Sequence, residues 1–252
     1  MNHFYVWKFD RWKRWLVVLL FALFTATFVW FERDGGLSVF STNEPVALTK
    51  GNANESNIAL TFNISWGEEK VFEILEQLEE EQVQATFFLS GEWVERHPDI
   101  VESIAEGEHE IGMLGYSYRS YLDQEIDEVR QDLIQAREAF ETLNFEDVNL
   151  LRTPNGHFNT EIIELAEEMD FEVIHWNVNS NDWNNPGTDV IVDNIMKETT
   201  NGDILLMHAS DSAKQTANAL NTILPGLKNK EFQFVSISEL INQTQAEPEL
   251  VE

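Results

Sequence analysis

Cysteine is missing from this chain of 252 residues. Its absence excludes disulfides, thiolate metal sites and cysteine nucleophiles. It leaves the compartment open, because a domain with a sizeable core needs no covalent staples. Basic side chains are scarce as well, 16 Lys and Arg against 45 Asp and Glu, for a formal charge of −29. The imbalance is uneven along the chain. Residues 1–34 hold five of the basic groups (Lys8, Arg11, Lys13, Arg14, Arg33) and three acidic ones, so the remainder carries 11 basic and 42 acidic side chains, a net of −31. A surface this acidic repels phosphate backbones and anionic headgroups, which excludes nucleic acid as a partner. It fits either adaptation of a whole proteome to salt or unusual pH, or a specific cationic partner. Disordered or collagen-like composition is also missing; 43% hydrophobic residues suit one full-sized domain with its own core.

Charge is absent altogether from Trp15 to Phe31, WLVVLLFALFTATFVWF, a run of 17 residues. That is the short end of the ~17–25 residues a membrane-crossing helix needs. Lys8, Arg11, Lys13 and Arg14 precede it, which places the N-terminus in the cytoplasm and the rest of the chain outside. Trp7, Trp12, Trp15 and Trp30 sit at its two edges, where amphipathic rings favour the interface. A cleaved signal peptide is the rival, but Thr25-Ala26-Thr27 runs straight into Phe28, Val29 and Trp30, a poor cleavage site. The expected organisation is a cytoplasmic flank with a single-pass cell-membrane anchor over 1–34 and a polar linker over 35–56. One extracytoplasmic domain follows over 57–245, and an acidic tail over 246–252.

From Asn57 onward short apolar runs alternate with amphipathic stretches. IALTFN (58–63), ATFFLS (85–90), HEIGML (109–114), VNLLRT (148–153), FEVIHWNV (171–178), DILLMH (203–208) and FQFVSI (232–237) read as buried strands. Residues 68–82 place Val71, Ile74, Leu75 and Leu78 at helical spacing, and 124–143, 159–169, 189–198 and 213–229 follow the same period. Seven βα units in series imply a parallel α/β sheet with right-handed crossovers. A distorted (β/α) barrel is the economical closure, and a doubly wound open sheet is the alternative. In such a barrel chemistry sits at the C-terminal ends of the strands. There the chain places Asn63, Leu114 to Tyr118, Arg152 to His157, Asn179 with Asp182 and Trp183, and His208.

Five of these segments, TFNISWGEE (61–69), ATFFLSGEWVERHPD (85–99), LLRTPNGHFN (150–159), HWNVNSNDWNNPG (175–187) and LMHASDSAKQT (206–216), occur in an order that resembles the polysaccharide deacetylases. These are the NodB-homology enzymes of carbohydrate esterase family four. With the opening MNHFYVW, the resemblance is closest to the sporulation-associated PdaB type, and it covers about residues 57–240. It implies a partial (β/α) barrel and an activity on N-acetylated cell-wall glycan such as peptidoglycan or spore cortex. The family holds zinc or another divalent metal with one Asp and two His, and uses a further Asp as base and a late His as acid. The resemblance places the base at Asn63 and the three ligands at Ile64, Leu114 and Tyr118. Asparagine accepts no proton at neutral pH, isoleucine and leucine ligate nothing, and tyrosine is a poor ligand with its pKa near 10. No metal or other cofactor is therefore expected.

The same resemblance gives Arg152 the role of orienting the base, with Asn179 in place of its usual acidic partner. It matches His208 to the acid and Asp182 to the same motif as Trp183. Trp183 becomes a groove wall, Leu206 a pocket for the acetyl methyl, and Asn155 and Gly156 stand at substrate-binding positions. His157 could join Asp182 and His208 as a substitute ligand set. His97, His109 and His175 read as structural, and Trp66, Trp93, Trp176 and Trp183 as a possible sugar-stacking set from which Trp176 falls to the core. Three functions stay open: a degenerate deacetylase that binds glycan, an active deacetylase with a reorganised site, and an envelope scaffold.

Overall fold

The computed structural model describes residues 46–245. The expected anchor at 15–31 and the tail at 246–252 lie outside them. Among the described residues no helix is long and apolar enough to cross a membrane.

The sheet is wholly parallel, in the order β5 (Glu172–Val173), β4 (Leu150–Leu151), β3 (Glu110–Met113), β2 (Thr86–Leu89), β1 (Asn57–Ile64), β7 (Ile204–His208) and β6 (Val178–Asn179), with β8 (Gln233–Phe234) pairing the start of β1. It curls into an incomplete barrel. β1 (Asn57–Ile64) is central, and all eight of its residues are buried. Its side chains divide by parity, as a strand covered on both faces must. Ile58, Leu60, Phe62 and Ile64 pack outward with α1 (Lys70–Glu80) and its neighbours, whereas Ala59 joins the interior cluster around Phe88 and Leu114. β2 (Thr86–Leu89), β3 (Glu110–Met113) and β4 (Leu150–Leu151) follow on one side of β1, and β7 (Ile204–His208) lies on the other.

The periodic stretches form helices close to their expected limits: α1, α4 (Ile126–Glu141), α5 (Thr160–Glu168), α6 (Thr188–Glu198) and α7 (Thr216–Asn229). α4 starts at a reciprocal capping box between Glu125 and Glu128 and buries Val129, Leu133, Ala136 and Phe140 along one stripe. α5 starts where Asn159 Oδ1 accepts the Ile162 N–H at 3.0 Å. Two short helices, α2 (Gly91–Arg96) and α3 (Pro98–Glu106), occupy the β2–β3 crossover, with Pro98 opening α3.

Two expectations change. The strand read at 171–178 is broken into β5 (Glu172–Val173) and β6 (Val178–Asn179), which form opposite ends of the sheet path. Between them the His175 and Trp176 rings stack at 3.8 Å, and Asn177 turns its side chain to Asp203 and to the Ile204 N–H, so no strand ladder continues. The last expected strand, 232–237, is only β8 (Gln233–Phe234), because Ile237 opens α8 (Ile237–Gln245). Chain pairing also begins inside the expected linker. Leu48 bridges to Ile174, Lys50 bridges to Asp203, and the Lys50 ammonium lies 2.7 Å from that carboxylate. Residues 48–50 thus tie the two sides of the break together.

Candidate functional site

The C-terminal ends of β1 and β7 open into a cleft of about 580 Å³. The two strands are in direct register there, Thr61 opposite Leu206 and Asn63 opposite His208. Register partners in neighbouring strands share a face, so the pairing alone sets Asn63, Leu206 and His208 side by side.

Arg152 follows β4 and is completely buried. Its guanidinium reaches across to β1, where Nη1 donates to Thr61 Oγ1 at 2.9 Å and to Asn63 Oδ1 at 3.0 Å. Nη2 donates to the His175 carbonyl at 3.1 Å and Nε to the Ile174 carbonyl at 3.3 Å. The cation also lies over the Phe88 ring, 4.0 Å from its centroid. Burial lowers the Arg152 pKa to about 9, which leaves it charged at neutral pH. Asn179, expected as its partner, does not hold it. Asn179 Oδ1 accepts the Asn181 N–H at 2.9 Å instead and caps a left-handed turn at Asn181.

Asp182 is fully buried behind His208. Its Oδ1 takes His208 Nδ1 at 2.7 Å, and its Oδ2 accepts both the His208 backbone N–H and the Thr216 hydroxyl at 2.7 Å. This places the ring proton on Nδ1 and leaves Nε2 as an acceptor for the cleft. Asp182 does not itself line the cleft, so it positions His208.

The four tryptophans separate. Trp183 and Trp66 are 56% and 62% exposed, and Trp183 lines the cleft. The Trp183 loop is tied to the β7 loop, Asn185 Nδ2 donating to the Ser212 carbonyl and the Lys214 N–H to Asn185 Oδ1, each at 2.9 Å. Trp93 is buried, stacks on His97 and donates to the Gly67 carbonyl at 2.7 Å. Trp176 stacks on His175 yet still reaches the cleft. Asn155 lines the cleft, whereas Gly156 serves another purpose. At its φ of +71° a Cβ would meet Trp176 Cη2 at 2.3 Å, so the missing side chain is what lets the indole approach.

The donor set does not fit zinc. Ile64 packs among the outward core residues and Leu114 in the interior cluster, and neither lines the cleft. Of the three expected ligand positions only Tyr118 does, at a left-handed φ of 46° that is strained for an aromatic residue. Burial pushes its phenol up, against the opposing pull of the Asn155 N–H, the Arg152 charge and the Asn63 side chain. His157 shares the cleft but pairs with Ser120 Oγ at 3.2 Å. Both Asp182 oxygens are engaged as described, and among the described residues no three His, Asp or Glu side chains gather to hold an ion.

Two supports escaped the sequence reading. Thr61 binds Arg152 from inside β1, and Thr216 binds Asp182 from the start of α7. A polar residue two before Asn63 in a buried strand was a signal for the first. The second joins positions 34 residues apart and had none.

The polysaccharide deacetylase family model matches residues 50–174. A peptidoglycan-N-acetylglucosamine deacetylase of Bacillus cereus is 33% identical over 193 residues, 75% of this chain and 89% of that protein. The Bacillus subtilis protein YlxY is 28% identical over 201 residues, 80% of this chain and 62% of that protein's length. A wild-type CE4-family pseudoenzyme from Bacillus anthracis superposes with a TM-score of 0.74 at 30% identity, over 82% of this chain and 70% of that one. A mutant of that pseudoenzyme with restored enzymatic activity gives the same TM-score.

Proposed function

Because this chain belongs to the polysaccharide deacetylase family, we propose that it binds N-acetylated cell-wall glycan in the β1–β7 cleft without hydrolysing it. The observation that carries this reading is Asn63, an amide locked by Arg152 at the position where a base would stand. An amide takes no proton from water at neutral pH. Buried hydrocarbon at positions 64 and 114 supports the same conclusion. Binding needs less. Trp183 offers a flat face to a pyranose ring, Leu206 an apolar wall for an acetyl methyl, and His208 Nε2 an acceptor for a sugar hydroxyl or amide N–H. The basic flank and the uncharged run at 15–31 support anchoring in the cell membrane with this domain outside. The PdaB-like motifs support a place at the forespore envelope.

A second reading keeps hydrolysis, through a reorganised site built on the intact Asp182–His208 pair. One set of measurements on the purified chain separates the two: zinc content, acetate release from a chitooligosaccharide and from peptidoglycan, and glycan affinity. The first reading expects no stoichiometric zinc, no acetate, and a Kd in the high micromolar to millimolar range, about −4 to −6 kcal/mol. Trp183→Ala should abolish the binding. Stoichiometric zinc with acetate release would establish the second reading, and an unchanged affinity in Trp183→Ala would remove the cleft assignment.

A further inference from the structure

Residues 48–51 lie where the curled sheet is interrupted. β5 and β6 end the sheet path on opposite sides, and residues 174–177 between them belong to neither strand. Leu48 takes up the edge on one side. Its N–H donates to the Val173 carbonyl and its carbonyl accepts the His175 N–H, both at 2.8 Å. By Lys50 the chain has crossed to the other side, where it pairs with Asp203 in the opposite sense. The Gly51 N–H then donates to the Gly202 carbonyl at 2.8 Å. The Lys50 ammonium lies 2.7 Å from the Asp203 carboxylate and donates to Thr200 Oγ1 at 2.9 Å. Asp203 is buried, and a charge withdrawn from water feels its partner more strongly than an exposed one does. Gly202 permits the crossing, since at its φ of +80° a Cβ would sit 2.8 Å from the Gly51 carbonyl oxygen.

The segment reaches the cleft through the backbone it holds. The carbonyls of Ile174 and His175, beside Leu48, are the ones that accept from Arg152 Nε and Nη2. Arg152 Nη1 in turn holds Asn63 Oδ1. The next residue, Trp176, lines the cleft, and Trp176 and Leu48 pack against the same interior cluster around Ile174, Ile204 and Leu240. The place of Leu48 thus bears on one wall of the cleft and on half of the support for Arg152. Yet the hold is light. The contacts are isolated bridges rather than a ladder, Leu48 is only half-buried, and Val46 beside it is exposed. Segments with few buried contacts open at a lower free energy than the whole fold.

We propose that residues 48–51 are a latch on the cleft, with a docked and a released position. Docked, they close the interruption and hold the 174–176 backbone against Arg152. Released, they free that backbone, and the Trp176 wall and the Asn63–Arg152 pair lose their fixed geometry. An element whose two positions differ at the cleft is coupled to it in both directions, so a cleft ligand favours the docked latch. For that ligand the latch rests on the glycan-binding reading, whereas its release does not.

Amide exchange of the full chain, read residue by residue in rising urea, tests the release. The N–H groups of Leu48, Gly51 and His175 should share one opening constant, at least about tenfold larger than that of the Phe62 and Asn63 N–H groups in β1. Low urea should leave it nearly unchanged while raising the β1 constant steeply, because a released latch exposes far less surface than an unfolded barrel. Parallel urea dependence of the two sets overturns the latch, since the segment then opens only with the whole fold. Lys50→Glu sets a like charge against the buried Asp203 and should release the latch in the folded protein. The Trp176 indole N–H resonance, assigned by its loss in Trp176→Phe, should then shift while that of Trp93 stays. An unmoved Trp176 signal with the latch amides unprotected overturns the link to the cleft. Leu48→Pro, which removes the donor to Val173, makes the same comparison should Lys50→Glu fail to fold. N-acetylglucosamine oligomers at about ten times their Kd should slow exchange of the three latch amides about tenfold. Unchanged exchange with oligomer bound overturns the coupling. Failure of the oligomers to bind counts against the glycan reading alone and leaves the urea and Trp176 tests standing.

Discussion

Position 64 shows how a single residue settles what the site can hold. Ile64 ends β1 on its outward face and is fully buried among apolar neighbours. Ile64→Asp puts an unpaired carboxylate there and should cost roughly 3–5 kcal/mol, read as a lowered denaturation midpoint. Added zinc should leave the melting temperature of the wild type unchanged, because Ile64, Leu114 and Tyr118 offer no ligand set and only a ligand that binds the folded state stabilises it. A zinc-dependent shift in the wild type would refute the reading of these three positions as non-ligating.

At the scale of elements, the β2–β3 pairing carries a pH dependence. His109 opens the turn into β3, and its Nδ1 accepts the Ala85 N–H at 3.3 Å, which requires a neutral ring. Burial lowers its pKa from 6.5 to about 4. The unfolded chain therefore takes up a proton that the folded chain refuses. The stability contributed by the neutral ring is complete above pH 6.5 and falls as the pH drops toward about 4. Urea titrations between pH 7 and 4.5 should show His109→Gln losing less stability than the wild type over that window. Parallel curves for the two proteins would mean that the histidine is not the titrating group. Asp211 is the opposite kind of element support, one carboxylate accepting the N–H groups of Glu68, Glu69 and Lys70 at the start of α1.

For the whole molecule the proposal to test is a membrane anchor at residues 15–31 with the domain outside. Four basic residues precede the uncharged run, and the positive-inside rule reads that flank as N-terminus in, domain out. Protease added to intact protoplasts should therefore digest the domain and leave a short membrane-bound fragment. A domain protected in protoplasts, or released intact into the medium, would reverse the orientation or the anchoring. The acidic surface also makes the charge pattern of the cleft informative, because a neutral lining with a buried arginine departs from the composition around it.

What the sequence by itself determined was local and periodic. Helices α1, α4, α5, α6 and α7 were legible because one apolar stripe at a 3.6-residue period has few other interpretations. The central strands were legible because both faces of a parallel sheet are apolar. Ordered motifs brought out Asn63, Arg152, Trp183 and His208, and strand register sets Asn63 against His208. The tertiary structure decided what depends on partners distant in the chain. The break between β5 and β6 follows from a His175–Trp176 stack and an Asn177–Asp203 bond, neither of which has a period. The docking of residues 48–50 follows from edges that exist only once the sheet is curled. Asn179 turned to its own loop and Arg152 remained without an anionic partner for the same reason. Which of two similar amides a buried guanidinium meets is set by a few ångströms of three-dimensional geometry, and residue type carries no record of that distance.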